Sequence, residues 1–351
     1  MSSWSRFLIR GGAVLDGEMV ESFGDAAAEL VAARDDAIVS DLAPLGALSV
    51  SGPDAARFLH GQLTSDVLAL SRGDWQFAAW CSPKGRMLAN FVLRRSQDER
   101  FELLLAGALR ETIRKRLGMF VLRSRVTIED ASEASVRLGV GGPKAADAVR
   151  AVWGEPPASR RSASADGAAI IALPGGRWIA WVDPERAAGI WERLSTLARA
   201  AGFPAWEWLS IRAAVPLITP PTSDQYVPQT ANWDALGGVS FDKGCYSGQE
   251  IVARMRYLGR LKERLVLAHV DAPPPAAGAR LFSASFGDQA CGSVVNAAEA
   301  PGGGTDLLAV LQLAARNSGE VRVGSRDGPE LALLPLPYAI PDAEASRNRI
   351  A

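Results

Sequence analysis

The sequence predicts an α+β fold: a large N-terminal body of antiparallel sheets with packed helices, followed by a small all-β domain. Three observations lead to it. Apolar strand-like segments come in pairs across tight turns, as in QFAAWCSP and MLANFVLRR around PKGR. Strands and amphipathic helices follow one another without the GxGxxG or GxxxxGKS turns that cradle phosphates. Past residue 271 the chain holds only short strand patterns with glycine turns.

Taken in order, GALSVS (46–51) is a predicted strand and SGPDAARFLHGQLTSDV a turn and helix, with Ser51 in the N-cap region and Pro53 early in the helix. The hairpin of QFAAWCSP and MLANFVLRR comes next, then the strand FELLLAG and the basic amphipathic helix ALRETIRKRLGMF. VTIED and VRLGVGG read as strands and PKAADAVRAVWG as a helix. GGPKAADA is glycine-rich before that helix but lacks phosphate-loop spacing. PPASRRSASADGA reads as a surface loop, and AIIALPG with RWIAWVD as a hairpin-like pair. PERAAGIWERLSTLARAAG is a long helix, and PAWEWLSIRAA another that ends before Pro216. DAPPPAAGA (271–279) is linker-like, because its prolines stiffen the chain and remove ladder donors. ARLFSA, ACGSVVNAA, DLLAVLQLAA and GEVRVGS then predict a small β-barrel or sandwich. The expected domains are 1–258 and 259–341.

Composition narrows the function classes. A chain of 351 residues with 48% hydrophobic and 22% charged residues is an ordinary globular protein of two or three domains. A net charge of -1 gives no global attraction to DNA or to an anionic membrane. No apolar run reaches the roughly 18 residues of a membrane span, and the N-terminal stretch lacks a secretory apolar core. Three scattered cysteines, Cys81, Cys245 and Cys291, fit neither a disulfide framework nor a self-contained metal site, and point to the cytoplasm. The two histidines, His60 and His269, read as structural. Basic residues crowd Arg110–Arg125 and Arg254–Arg264, as solvated helix faces do. RNA binding would add interleaved aromatics and a more positive chain.

The stretch FDKGCYSGQEIVAR carries the most chemistry. A thiol becomes a nucleophile or ligand when cations or free backbone N–H groups lower its pKa. Cys245 has Lys243 two residues away, Gly244 beside it for close backbone approach, and Arg254 and Arg256 nearby. SGQE resembles a helix start, with Ser247 as N-cap and Glu250 completing a capping box, so the positive helix end would face Cys245. The alternative is a small buried cysteine in a tight turn. Gln249 suits either a structural bond or a ligand contact, Tyr246 suits packing, and Glu250 with Arg254 suits an i,i+4 ion pair. In WCSPKGRM, Lys84 and Arg86 are either solvated hairpin-tip residues or binders of an anionic tail.

FDKGCYSGQEIVAR closely resembles the KGCYxGQE signature of the YgfZ-type folate-binding proteins, relatives of the glycine-cleavage T-protein. SVSGPDAARFLHGQLTSDV, WCSPKGRMLANF, YVPQTANWDALGGVSF and LPLPY also match, in order and at similar spacing, from about residue 45 to 338. The resemblance implies two interlocked α+β domains around a central opening, plus a C-terminal barrel. It implies tetrahydrofolate or a one-carbon derivative in the opening, and a role in assembling or repairing iron–sulfur clusters of particular enzymes, tRNA-modifying ones included. Iron–sulfur client or assembly proteins are then the expected partners, with tRNA involved only indirectly. The site residues it implies are Cys245 and Lys243 for chemistry, Trp206, Arg212, Lys84, Arg86, Gln249 and Glu250 for the cofactor, and Gly244, Tyr246 and Gly248 for the motif.

The chain departs from the family twice. Arg212-Ala213-Ala214 replaces a Glu-Ala-Gly sequence, and an arginine accepts no hydrogen bond, so pteridine recognition falls to another group such as Glu207. Ala89-Asn90 replaces an acidic pair, leaving aminomethyl transfer without an obvious proton carrier. A non-classical accessory protein is therefore expected ahead of a one-carbon transferase or a direct tRNA binder.

Overall fold

The computed structural model describes residues 2–158, 160–257 and 261–341. The body holds two large sheets beside a two-stranded one at residues 14–22. One orders residues 162–165, 168–173, 177–182, 136–141, 38–41 and 199–200; the other orders 75–81, 87–97, 100–106, 45–51 and 127–130. The chain builds Ile38–Asp41 of the first sheet, lays down the whole second sheet, and returns to finish the first. This crossing is what interlocks the two units. Neighbouring strands are antiparallel apart from Arg199–Ala200, which runs parallel to Ile38–Val39. The third sheet uses residues 263–334 only, in the order 322–323, 280–282, 292–299, 305–312, 263–270 and 331–334. Its outer strands meet through the Arg322–Glu330 bridge and the bond from Leu331 N–H to Val321 C=O (2.8 Å), closing it into a barrel.

Helices α1 (Ser3–Arg10), α2 (Ala26–Asp35), α3 (Ala55–Gln62), α4 (Arg110–Gly118), α5 (Ala145–Trp153), α6 (Pro184–Ser195), α7 (Phe203–Arg212), α8 (Gln249–Tyr257) and α9 (Leu313–Ser318) pack on these sheets. None of the described helices is long and apolar enough to cross a membrane. The segment before residue 46, which carries no predicted element, supplies α1, a small hairpin, α2 and Ile38–Asp41.

Several expectations are corrected. Ser51 ends a strand and Pro53 lies in the turn, so α3 starts at Ala55. The Asp54 carboxylate accepts the Arg125 N–H (2.9 Å) instead of capping α3. Ser162–Ala165, expected as loop, pairs with Ala168–Ile171 as an edge strand. The long helix stops at Ser195 because Arg199–Ala200 joins the sheet. QLAA turns into α9 after the strand ends at Gln312. DAPPPAAGA joins two strands of the barrel rather than two domains. The expected boundary at 258/259 lies outside the described residues.

The glycines of VRLGVGG have a packing cause. A Cβ on Gly139 would sit 2.6 Å from Cε3 of Trp206, and one on Gly141 would sit 2.6 Å from Cδ1 of Leu209. The strand is bare here so that α7 can lie flat on it. Gly139→Ala should therefore destabilise the protein by about 1–3 kcal/mol through overpacking. Gly189→Ala in α6, where an added Cβ meets nothing within 4 Å, should be neutral or stabilising by up to about 1 kcal/mol. Denaturant unfolding of both variants checks this; an unchanged midpoint for Gly139→Ala would refute the seat.

Candidate functional site

Two places of chemical interest lie along one hairpin, Trp75–Cys81 with Met87–Gln97. At its tip, Gly85 N–H bonds Ser82 C=O (2.8 Å), and Lys84 and Arg86 are exposed. The tip meets the start of α8 backbone to backbone. A Cβ on Gly248 would fall 2.4 Å from Ser82 O and 2.7 Å from Gly85 Cα, so the SPKGR and SGQE motifs are held in contact by paired glycines.

Beside this contact the KGCY loop is anchored by Lys243. Its ammonium donates to the carbonyls of His60 (2.5 Å), Leu63 (2.5 Å) and Ser65 (3.1 Å), and lies 5.0 Å from the Tyr246 ring centroid. Those carbonyls cluster at the C-terminal end of α3, where a cation is favoured. Burial pulls the Lys243 ammonium down to about 8, against the attraction of Asp66, so it remains charged at neutral pH. Tyr246 is buried beneath it. Gly244 rides over His60, whose Nδ1 lies 3.1 Å from Asp66. Burial, then the Lys243 charge, hold the His60 pKa below its usual value.

The loop thereby carries Cys245 outward. Cys245 is exposed, while Cys81 and Cys291 are buried, which excludes the buried-cysteine alternative. The expected capping box is also corrected: α8 begins at Gln249, and the Gln249 side chain accepts the Tyr246 N–H (3.2 Å). Ser247 and Glu250 are out of register for that role, and no ion pair joins Glu250 to Arg254 among the described residues.

Further down the hairpin, between the two body sheets and α7, is a cavity of about 80 Å³. That is room for roughly half a dozen water-sized groups, or one ring. Trp206, Glu207, Arg177, Asn90, Trp233 and Asn296 are among its lining residues. Trp206 is buried and lies 5.4 Å from the Arg177 guanidinium. Arg177 donates through Nε to Pro174 C=O (3.0 Å) and through Nη1 to Ser210 Oγ (2.6 Å), while Nη2 has no partner. Burial pulls it down to about 9 and pushes the Glu207 carboxyl up to about 7. The Trp233 indole N–H is likewise unpartnered. Asn90 is a brace: it donates to Pro216 C=O (2.7 Å) and accepts from Ile218 N–H (2.9 Å). Asn296, from the barrel, holds both polar groups of Leu217 in the same way (2.9 and 3.0 Å).

The structure brings Trp206 and Glu207 into the cavity and gathers Lys84, Arg86, Lys243, Gly244, Cys245, Tyr246, Gly248 and Gln249 around the tip. Arg212 joins neither group. It is exposed and pairs at 3.4 Å with Asp306, which also accepts the Trp208 N–H (2.9 Å) and contacts His269 (2.9 Å). Sequence reasoning missed Arg177; an arginine opening the otherwise apolar strand RWIAWV is the signal that could have found it. The basic clusters resolve into ion pairs only in part: Arg110 with Asp130, Arg114 and Lys115 with Glu111, Arg125 with Asp54, and buried Arg264 with Asp234.

Glu207 makes a pH signature. Its pKa is raised on folding from 4.5 to about 7, so the folded state holds the proton more tightly and stability falls as pH rises through that window. Glu207→Gln removes the dependence. The variant should gain on the wild type between pH 4.5 and 7 and hold a constant advantage above, of about 1–3 kcal/mol. Chemical denaturation across pH checks this; parallel profiles would mean the carboxyl is solvated.

The GCVT N-terminal domain profile matches residues 13–164. The chain is 32% identical over 303 residues to the tRNA-modifying protein YgfZ of Edwardsiella ictaluri, covering 85% of this chain and 91% of that one. It is 33% identical over 302 residues to the Klebsiella pneumoniae protein of the same name, covering 84% and 91%. Among solved structures it resembles the glycine cleavage system aminomethyltransferase T from Bartonella henselae, with a TM-score of 0.74 at 18% identity over 96% of this chain and 97% of that one.

Proposed function

The chain belongs to the YgfZ family, and from that membership we propose that it is a cytoplasmic tetrahydrofolate-binding accessory protein that supports iron–sulfur clusters in particular enzymes, tRNA-modifying ones among them. The observation that carries the ligand is the cavity beside Trp206, with buried, unpartnered polar groups on Arg177 and Trp233 and a carboxyl on Glu207. An apolar enclosure with a few convergent polar groups and an aromatic face suits a flat heterocycle. These residues fit the group: Trp206, Glu207, Arg177 and Trp233 would hold the ring, and Lys84 and Arg86 would receive an anionic tail. Bound tetrahydrofolate supplies a carrier for one-carbon units.

Cys245 has a separate role in this proposal. Met87–Ala89, roughly 10 Å of extended strand, and the turn beyond it separate Asn90 in the cavity wall from the hairpin tip. The thiol therefore addresses a partner at the surface, with Lys243, Gln249, Gly244 and Gly248 setting its loop and Glu250 exposed beside it. A one-carbon transferase is the second reading. Asn90, with both halves of its amide engaged by the 216–218 loop, weighs against it. Direct tRNA binding finds less support in a chain of net charge -1.

Titration with tetrahydrofolate should quench tryptophan emission, and amide exchange should slow in Phe203–Leu217 and residues 173–179. Protection confined to residues beyond 280 would rule out the cavity. Cys245 should be alkylated ahead of Cys81 and Cys291, and Cys245→Ser should fold normally yet fail to restore iron–sulfur enzyme activity in cells lacking the protein. Full complementation by that variant would reduce the loop to a structural turn.

A further inference from the structure

Glu207 and Arg177 are the only acidic and the only basic side chain lining the cavity among the described residues, and they do not pair with each other. Arg177 turns two of its three nitrogens to Pro174 and Ser210 and leaves Nη2 without an acceptor. Glu207 makes no hydrogen bond with any described residue. The apolar remainder of the wall offers neither group a substitute: Phe77, Phe91, Leu104, Leu173, Ile179 and Phe203 surround them. An unpartnered buried charge such as Arg177 is costly, and the half-buried Glu207 carboxyl in the same cavity would normally relax into an ion pair with it. Here each is fixed separately, Arg177 on its strand and Glu207 on α7. The cavity is thus complementary to a molecule that donates at one edge and accepts at another.

We propose that Glu207 is the specificity-determining group of this cavity, selecting a ring whose edge presents adjacent N–H donors in the manner of a guanidine, while Arg177 faces an acceptor on the same ring. This rests on the reading that the cavity takes tetrahydrofolate, whose 2-amino-4-oxo ring has such an edge. A carboxylate meets paired N–H donors with two parallel charge-assisted bonds, which a flat aromatic lacking the amino group cannot return. Position 212 cannot do this work, because Arg212 accepts no hydrogen bond and is engaged by Asp306 outside the cavity.

The test measures Kd by calorimetry on the full chain with tetrahydrofolate and with its analogue lacking the 2-amino group. Wild type should bind tetrahydrofolate and lose about 10–100-fold in affinity for the analogue. Glu207→Gln should weaken tetrahydrofolate by a similar factor yet leave the analogue within about threefold, since the two changes remove the same interaction. Arg212→Ala should stay within about twofold of wild type. If wild type binds both ligands equally, or Glu207→Gln binds tetrahydrofolate as wild type does, Glu207 is not the selector although the folate reading survives. If wild type binds neither ligand, the folate reading itself fails. The analogue arm needs no mutation, so a misfolded variant cannot hide the answer.

Discussion

The architecture turns on a helix, α7, that meets both body sheets and the barrel and leaves only its last residue, Arg212, exposed. An isolated amphipathic helix offers one apolar stripe and one wet face, but α7 must satisfy two body sheets and a barrel at once. Trp206 lies on the glycine-cleared strand Val136–Gly141, Glu207 lines the cavity against the second sheet, and the Trp208 indole bonds Asp306 of the barrel. Three consecutive side chains thus meet both body sheets, the cavity between them and the barrel. A helix can do this because successive residues are rotated by about 100°. The consequence is a half-buried carboxyl, Glu207, held at the cavity by the contacts α7 makes on either side.

The KGCY loop follows a different rule. Its position is set by a single ammonium that replaces three missing donors at the end of α3. A helix end leaves carbonyls without intrahelical partners, and Lys243 answers them from about 180 residues away. With Lys243 fixed inward and Tyr246 packed beneath it, the intervening Gly244 and Cys245 have only the outside left. Exposure of the thiol follows from burial of its neighbours, not from any property of the cysteine.

How much of this could be read from the residues depends on the range of the interaction. The hairpin at 81–87, the helix carrying Trp206 and the run of short C-terminal strands are local patterns, and the sequence states them openly. The same holds for the proximity of Cys245 to a helix start, though the sequence does not fix the capping register, because Gln249 and Glu250 are adjacent and either can reach back. Lys243 was legible as a cation near Cys245 but not as an anchor to α3, since no local spacing encodes a contact of that length. The resemblance places Arg212 with the ligand, whereas its position on α7 sends it to Asp306. Ser162–Ala165, small and polar, has no strand signature and pairs only because Ala168–Ile171 offers an edge.

The two asparagines that grip residues 216–218 have a consequence for how the domains communicate. Asn90 belongs to the body and Asn296 to the barrel, and both also face the cavity. A rigid segment clamped from both sides transmits displacement instead of absorbing it. If a molecule docking on the barrel shifts the strand carrying Asn296 and so alters the cavity's affinity, thermodynamic reciprocity requires that filling the cavity change the docking affinity by that same factor. The barrel would then serve as a gauge of whether the cavity is filled, readable from a surface that never touches its contents.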